Sequence, residues 1–305
     1  MTRILSYNIL VGGRNRLHQL TNVISSCQPD VVGLIEAIDE NVVEQLATSL
    51  HMEYRLSGRA KDAEGWQGAV LSRLPIISTR TYTNSLLKKQ PLLEVCLEEH
   101  DGQLLTVFVT HLTAAFSRFW IANQKRRREV RELLRVMEGK RGTKHLLMGD
   151  FNSIAPGEQL RGSSFLQYVA DPNLYFQLEP DPAIQAPNLD FVLPRPFYMV
   201  KPLLEMVPRS KILSTTFDAF SFLYAPRGGF RLLNKAGYVD CFRAMNPGQQ
   251  GFTWPAPLPV GRVDFIFASP ELAPRLFSAS ALTEDDHACV GKGSDHLPIF
   301  ADFCD

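Results

Sequence analysis

His145-Leu146-Leu147-Met148-Gly149-Asp150-Phe151-Asn152-Ser153 is the stretch from which the rest of the chain is read. A short apolar run bounded by a turn signal reads as a buried strand. Gly149 is expected to end it and turn the backbone. Asp150 and Asn152 then flank one apolar residue, and in extended chain residues i and i+2 point the same way. One is an acceptor and potential base; the other is a neutral donor and acceptor. The pair suits holding a water beside a phosphate. It equally suits a turn built on Asp and Asn hydrogen bonding.

Working outward, chemistry-bearing residues recur at the ends of short apolar runs. Residues 3–9 read as a first strand with Asn8 near its end, before a Gly12-Gly13 turn. Leu17, Leu20, Val23 and Ile24 recur at helical spacing until Pro29. Residues 30–36 read as a second buried strand ending in Glu36, and a carboxylate there is either at a rim or bound to something positive. Val42, Val43, Leu46 and Leu50 mark another helix. Short strands follow over 67–72, 76–77, 92–97 and 104–112, the last two joined by the hairpin signal Asp101-Gly102. The last of them carries His111. Residues 261–269 form a strand with Asp264 inside it, and a buried Asp needs a partner. Asp295 and His296 stand at the mouth of a final strand.

Two segments read less clearly. Residues 118–138 form a helix whose apolar stripe is Val130, Leu133, Leu134 and Met137. Its remainder, Lys125, Arg126, Arg127, Arg128, Arg131 and Arg135, is expected to be a solvated face, since these are good surface helix formers. The competing reading is a phosphate-attracting wall. Residues 155–235 lack clear periodicity and are rich in Pro, Phe and Tyr. They read as an insertion or lid, with a short helix around Phe165 to Val169.

Composition sets the bounds. With 305 residues and 45% hydrophobic content the chain can bury a large core. We expect a single domain over 1–305 with the insertion at about 155–235. Lys+Arg and Asp+Glu are both 32, which argues against a protein that coats nucleic acid but allows a local basic groove. No apolar run approaches bilayer-spanning length, and the N-terminus lacks a signal-peptide core. Cys27, Cys96, Cys241, Cys289 and Cys304 are scattered, never as CxxC. They read as free thiols in a reducing compartment, so a cytoplasmic location is expected.

Six motifs in order carry a resemblance. They are Ser6-Tyr7-Asn8-Ile9, Gly33-Leu34-Ile35-Glu36, Thr110-His111-Leu112, Gly149-Asp150-Phe151-Asn152-Ser153, Arg262-Val263-Asp264-Phe265-Ile266 and Ser294-Asp295-His296-Leu297-Pro298. Together they resemble the endonuclease/exonuclease/phosphatase superfamily. The resemblance implies a DNase I-like fold of the α/β (α+β) class. This is a four-layer α/β/β/α sandwich of two mainly antiparallel sheets. It implies a divalent-metal phosphohydrolase in which water attacks a phosphoester in line. By motif, Glu36 is the principal ligand of Mg²⁺ or Mn²⁺, with Asn8 and Asp295 near it. Asp264 pairs with His296, Asp150 handles the attacking water, and Asn152 and His111 hold phosphate oxygens. Either Asp150 or His296 takes the proton. Gln67 stands where the family usually has Asn near the substrate phosphate, which makes it a candidate substrate contact.

Fold and mechanism leave the substrate open. A small molecule, a lipid headgroup or a nucleic acid would serve, and no obligate protein partner is expected. A lipid substrate would want an apolar entrance, for which Phe197, Tyr198, Phe220, Phe222 and Tyr224 are candidates. The alternatives are a nuclease on DNA or RNA, and a non-catalytic module that binds phosphate in the same cleft. A Ser or Cys hydrolase fits poorly, because no GxSxG elbow is present.

Overall fold

The computed structural model describes residues 1–58, 66–84, 87, 91–114, 119–175, 189, 199–225, 227–283 and 290–305. Its strands form two six-stranded sheets. The first contains β1 (Thr2–Asn8), β2 (Val31–Ile35), β3 (Glu53–Leu56), β4 (Ala69–Ser72), β11 (Leu276–Ala281) and β12 (Ile299–Phe303), in the order β11-β12-β1-β2-β4-β3. The second contains β5 (Ile76–Tyr82), β6 (Leu92–Glu98), β7 (Leu104–His111), β8 (His145–Asp150), β9 (Val239–Asp240) and β10 (Asp264–Ala268), in the order β5-β6-β7-β8-β10-β9. Each sheet has a parallel pair, β1–β2 in one and β7–β8 in the other; the remaining pairings are antiparallel.

Strand alternation builds the layers. In β1, Ile4 faces the second sheet while Leu5 and Tyr7 face the helices α1 (Leu17–Cys27) and α2 (Glu40–Leu50). In β8, Leu146 and Met148 face inward and Leu147 faces the helix α3 (Phe119–Met137). The inter-sheet core therefore combines Ile4, Val31, Ile35, Val107, Leu146, Met148, Ile266 and Ile299. This is the expected four-layer sandwich. Burying both faces of the central strands explains why they read as continuous apolar runs. The Asp101-Gly102 turn joins β6 to β7, with Gly102 at φ 77° donating to Glu99 O. Among the described residues no helix is long and apolar enough to cross a membrane.

Two expectations are corrected. Gly149 does not end its strand: β8 runs on to Asp150. Gly149 is needed because its φ is 146° and a Cβ there would lie 1.8 Å from Thr110 O on the parallel neighbour. Arg126 is not on a solvated face. It is buried, donates to Thr113 O at 2.9 Å, and burial lowers its pKa to about 10. Arg127, Arg128, Arg131 and Arg135 are the exposed ones.

Residues 155–235 are largely helical where described, with helices Gly162–Ala170, Lys201–Met206, Lys211–Tyr224 and Phe230–Lys235. They hold a small core of their own around Leu166, Tyr168, Val169 and Val207. Phe197 and Tyr198 lie outside the described residues. Phe220 and Phe222 are exposed on the helix that Tyr224 closes.

Candidate active site

The ends of the two parallel pairs meet across the sandwich. Asn8 ends β1, and Glu36 follows β2; His111 ends β7 in register with Asp150, the last residue of β8. Asp264 opens β10 opposite Asp150. Asp295 and His296 precede β12. Register therefore gathers residues separated by up to 288 positions.

Asp150 Oδ2 is the hub. Asn8 Nδ2 lies 3.2 Å from it, Asn152 Nδ2 3.3 Å, His111 Nε2 3.5 Å and His296 Nε2 3.8 Å. The other oxygen, Oδ1, accepts from the Asn152 backbone N–H at 2.8 Å. Asn152 does not extend the strand, as an i, i+2 reading expects. It sits at φ 47°, which Asn tolerates, and the pair meets through a local turn. Its Nδ2 also donates to Leu112 O at 3.0 Å. Burial, reinforced by Asp264, raises the Asp150 carboxyl to about 6 against the opposing imidazoles of His296 and His111.

Glu36 lies next to this hub. Asn8 Nδ2 is 3.2 Å from its Oε1, and His111 Nε2 is 4.0 Å away. Its Oε2 accepts the Val11 N–H at 2.8 Å. That contact comes from a strained turn: Leu10 and Val11 have φ of 51° and 48°, Gly12 and Gly13 follow at 79° and 68°, and Glu36 itself is at 61°. Left-handed non-glycine residues are uncommon, and a β-branched one like Val11 is an outlier. Such strain concentrates where the surroundings over-determine it, as at functional sites. Burial pushes the Glu36 carboxyl up, partly countered by the Val11 N–H.

His296 Nδ1 is 2.9 Å from Asp264 Oδ2. Burial alone would lower the imidazole, but Asp264, Asp295 and Asp150 outweigh it and hold the pKa well above its ordinary value. His111 goes the other way, lowered chiefly by burial. Its Nδ1 is buried with no hydrogen-bond partner among the described residues, and its ring meets Trp66 edge-on at 5.8 Å. Asp150, Asp264 and His296 form the tightest group, with their ligand atoms within 4.8 Å of one another. Gln67 is buried and its Nε2 donates to Ser57 O at 2.7 Å.

Several supporting residues were not singled out from sequence. Trp254 Nε1 donates to Asp295 Oδ2 at 3.2 Å. Thr253 Oγ1 accepts from Val263 N at 3.1 Å and Asp264 N at 3.2 Å. Ser294 Oγ donates to Asn8 O at 2.6 Å and accepts from His296 N at 3.2 Å. The Thr253-Trp254-Pro255 run ahead of the Asp264 strand was the available signal. Behind the site, fully buried Arg262 pairs with Asp240 and Glu158, and Glu158 also pairs with Arg243. Two cations and two carboxylates close that network and fasten the loop after Asn152 to the start of β10.

The profile of the Endonuclease/Exonuclease/phosphatase family matches residues 5–296. The chain belongs to that family. As a member of the endonuclease/exonuclease/phosphatase family it is a hydrolase of phosphoester bonds. An AP endonuclease from Archaeoglobus fulgidus has a similar structure, with TM-score 0.64 and 18% identity over 99% of both chains. The 3' phosphatase NExo from Neisseria, bound to a product DNA hairpin, has TM-score 0.62 and 18% identity over 100% of both chains. D. rerio TDP2 with a single-strand DNA product has TM-score 0.60 and 16% identity, covering 100% of this chain and 99% of its own. At such identities the likeness speaks for the DNase I-like fold. No curated protein matches the chain in sequence.

Proposed function

We propose that this hydrolase cleaves its phosphoester by in-line attack of an activated water, with Mg²⁺ or Mn²⁺ held at Glu36, Asn8 and Asp295. The observation that carries the reading is the meeting of Asn8, His111, Asn152 and His296 around one oxygen of Asp150, beside Glu36. The donor set fits a cation. Glu36, Asp150, Asp264 and Asp295 crowd one pit, and among the described residues their ion-pair partners are only His111 and His296. A buried surplus of carboxylates calls for positive charge. An all-oxygen set without thiolates favours a hard cation.

The tight group of Asp150, Asp264 and His296 is the less suitable seat. An imidazole kept cationic by its carboxylate neighbours has no lone pair for a metal. We therefore assign that group to proton handling and the Glu36 side to the cation. When bound, the cation neutralises charge on the phosphate and on the leaving oxygen.

Asp150 takes the proton of the attacking water; a base poised near the working pH is the efficient one. His111 and Asn152 hold the non-bridging oxygens as charge grows on them. His296, cationic against Asp264, stabilises the same charge through Nε2. Water supplies the new P–O bond and the ester oxygen leaves, with no covalent enzyme intermediate.

A second reading narrows the substrate to nucleic-acid ends. DNA carried by the NExo and D. rerio TDP2 structures favours it. The test is a panel of aryl phosphodiester, aryl phosphomonoester, abasic and intact DNA, DNA bearing 3' phosphate, RNA and a choline phospholipid. Each is assayed with Mg²⁺ or Mn²⁺, with EDTA, and with Asp150→Asn. Turnover that needs metal and Asp150 supports the proposal, and the preferred substrate chooses the branch. Metal and phosphate binding without turnover across the panel would favour a binding-only member. Turnover that survives both EDTA and Asp150→Asn would overturn the mechanism.

A further inference from the structure

The helix Lys211–Tyr224 carries polar groups among the apolar ones on its inner face and large apolar side chains on its outer face. Its inner face carries Ser214, Asp218 and Ser221 beside Leu213 and Phe217. Ser214 donates to Val207 O at 2.8 Å, and Asp218 accepts from Ser163 N at 2.7 Å and Ser163 Oγ at 2.9 Å. Ser221 packs on Gly162 so closely that a Cβ there would lie 1.9 Å from its oxygen. The outer face carries Ile212 and Leu223, 79% and 74% exposed, with Phe220 and Phe222. Thr215 and Thr216 on that face turn their hydroxyls back onto Lys211 O and Ile212 O, both at 2.9 Å, so these polar groups are satisfied within the helix.

The preceding helix, Lys201–Met206, continues the pattern. Leu203 and Met206, one turn apart, are each 54% exposed, and Met199 just before them is 92% exposed. Of the exposed large apolar side chains among the described residues, more than half fall in 199–223. A helix on a water-facing surface has the opposite polarity, and an apolar patch on this scale marks an interaction site.

Charge and shape choose the occupant. Arg209 and Lys211 are exposed at the turn between the two helices. The exposed acid of the stretch is Glu205, since Asp218 is turned inward. Met199, Ile212 and Leu223, the most exposed of these side chains, stand proud of the surface. They suit a medium that closes around them rather than a shaped protein pocket. We propose that residues 199–223 form a docking surface for an anionic lipid bilayer. The two helices lie in the interface, with Arg209 and Lys211 at headgroup level. The helix on which this segment packs, Gly162–Ala170, reaches the catalytic cleft: its Ser163 is held by Asp218, and its Phe165 and Tyr168 lie 5.5 and 6.3 Å from the Trp254 ring, whose N–H holds Asp295. Docking brings the bilayer to one side of that cleft.

The test is co-sedimentation of the full chain with phosphatidylcholine vesicles carrying roughly 30% phosphatidylglycerol, and with phosphatidylcholine alone. Binding to the anionic vesicles is expected, at least about tenfold weaker on the neutral ones and weakened by salt. The variant Met199→Ser/Ile212→Ser/Leu223→Ser should bind on the order of a hundredfold more weakly. Its circular dichroism and its turnover of a water-soluble aryl phosphodiester should stay unchanged. Arg209→Glu/Lys211→Glu should weaken anionic binding alone, by about tenfold. Asp150→Asn should bind like the parent chain, which separates docking from chemistry. Absence of the parent chain from the anionic pellet, or unchanged binding by the serine variant, would overturn the proposal. So would a concentration-dependent dimer abolished by the same serines, which would assign the face to a second copy.

Discussion

Each sheet delivers reactive groups from the end of a parallel pair, β1–β2 in the first and β7–β8 in the second, and both pairs have antiparallel neighbours. The chemistry delivered differs. In the first sheet the acid is a long one, Glu36, one residue past its strand at a left-handed φ of 61°, held by the N–H of strained Val11. In the second it is a short one, Asp150, still in register with His111 and ringed by amides and imidazoles. A carboxylate with sparse donors attracts a cation. A carboxylate surrounded by groups that give and take protons becomes a base. On the proposed assignment the two similar rims divide the labour, cation holding on one and proton handling on the other.

The sharpest way to break that division is Asp150→Asn. It keeps the shape and removes the base, so kcat should fall by roughly 10³–10⁴ while metal affinity changes little. The pH profile carries the same assignment. Activity needs ionised Asp150, so it should fall as pH drops through about 6, where burial sets the Asp150 carboxyl. The linkage has a definite sign. The folded carboxyl is raised above its unfolded value, so the folded state binds more protons between about 4 and 6. The stability it contributes is present below that window and lost as pH rises through it. Asp150→Asn should therefore raise the stability of the metal-free protein above pH 6, on the order of 1–3 kcal/mol, measured by denaturant melts. A variant both inactive and less stable at neutral pH would contradict the assignment.

Glu36→Gln probes the other rim. It should cost roughly 10²–10³ in kcat/KM at limiting metal, recover in part as Mg²⁺ is raised, and leave the acid limb of the pH profile in place. Titration calorimetry would show the metal affinity falling. A shifted acid limb with unchanged metal binding would mean that the two rims had been assigned the wrong way round.

How much of this was legible beforehand differs along the chain. The six site motifs were readable because each sits on a locally decided run, an apolar strand with polar residues at one end. Order along the chain and family resemblance then supplied what spacing alone did not, namely which ends converge. Trp254, Thr253 and Ser294 were passed over because their roles exist only across long-range contacts such as Trp254 to Asp295. Gly149 was read as a turn although the residue type is dictated by Thr110 O on another strand. Arg126 looked like its basic neighbours, and only helix phase separates it from them. The helix Lys211–Tyr224 was missed for a sharper reason. Its inner face mixes Ser214, Asp218 and Ser221 with Leu213 and Phe217 while Ile212 and Leu223 face out, so apolar residues on both faces blur the periodicity of a single buried stripe.

The glycines of the two sheets give a stability version of the comparison. A Cβ on Gly149 would meet the backbone oxygen of Thr110 and would also sit at an unfavourable φ. A Cβ on Gly33 would meet the end of the Met148 side chain, 2.3 Å from its Cε, which can swing away. Gly149→Ala should destabilise by about 3 kcal/mol or more, Gly33→Ala by only about 1–2 kcal/mol. Denaturant melts of the two variants side by side would check the ranking. Equal losses would mean that the β7–β8 pair yields as easily as a methionine side chain.

The smallest effect separates the rims at their border. Trp254 belongs to neither parallel pair; its indole N–H holds Asp295 while its ring lies against Phe165 and Tyr168. Trp254→Phe keeps a ring in that place and removes the single donor. If Asp295 works with Glu36 on the cation, the loss should appear as roughly three- to tenfold weaker metal affinity, the scale of a support behind a metal ligand. At saturating metal kcat should stay within about twofold of the parent chain, and the acid limb should not move. Asp295 also stands next to His296 and helps keep that imidazole cationic. A fall in kcat that saturating metal does not restore would therefore move Asp295 to the proton-handling side. The cation would then rest mainly on Glu36 and Asn8, and the division between the rims would run through the Asp295-His296 pair rather than between the sheets.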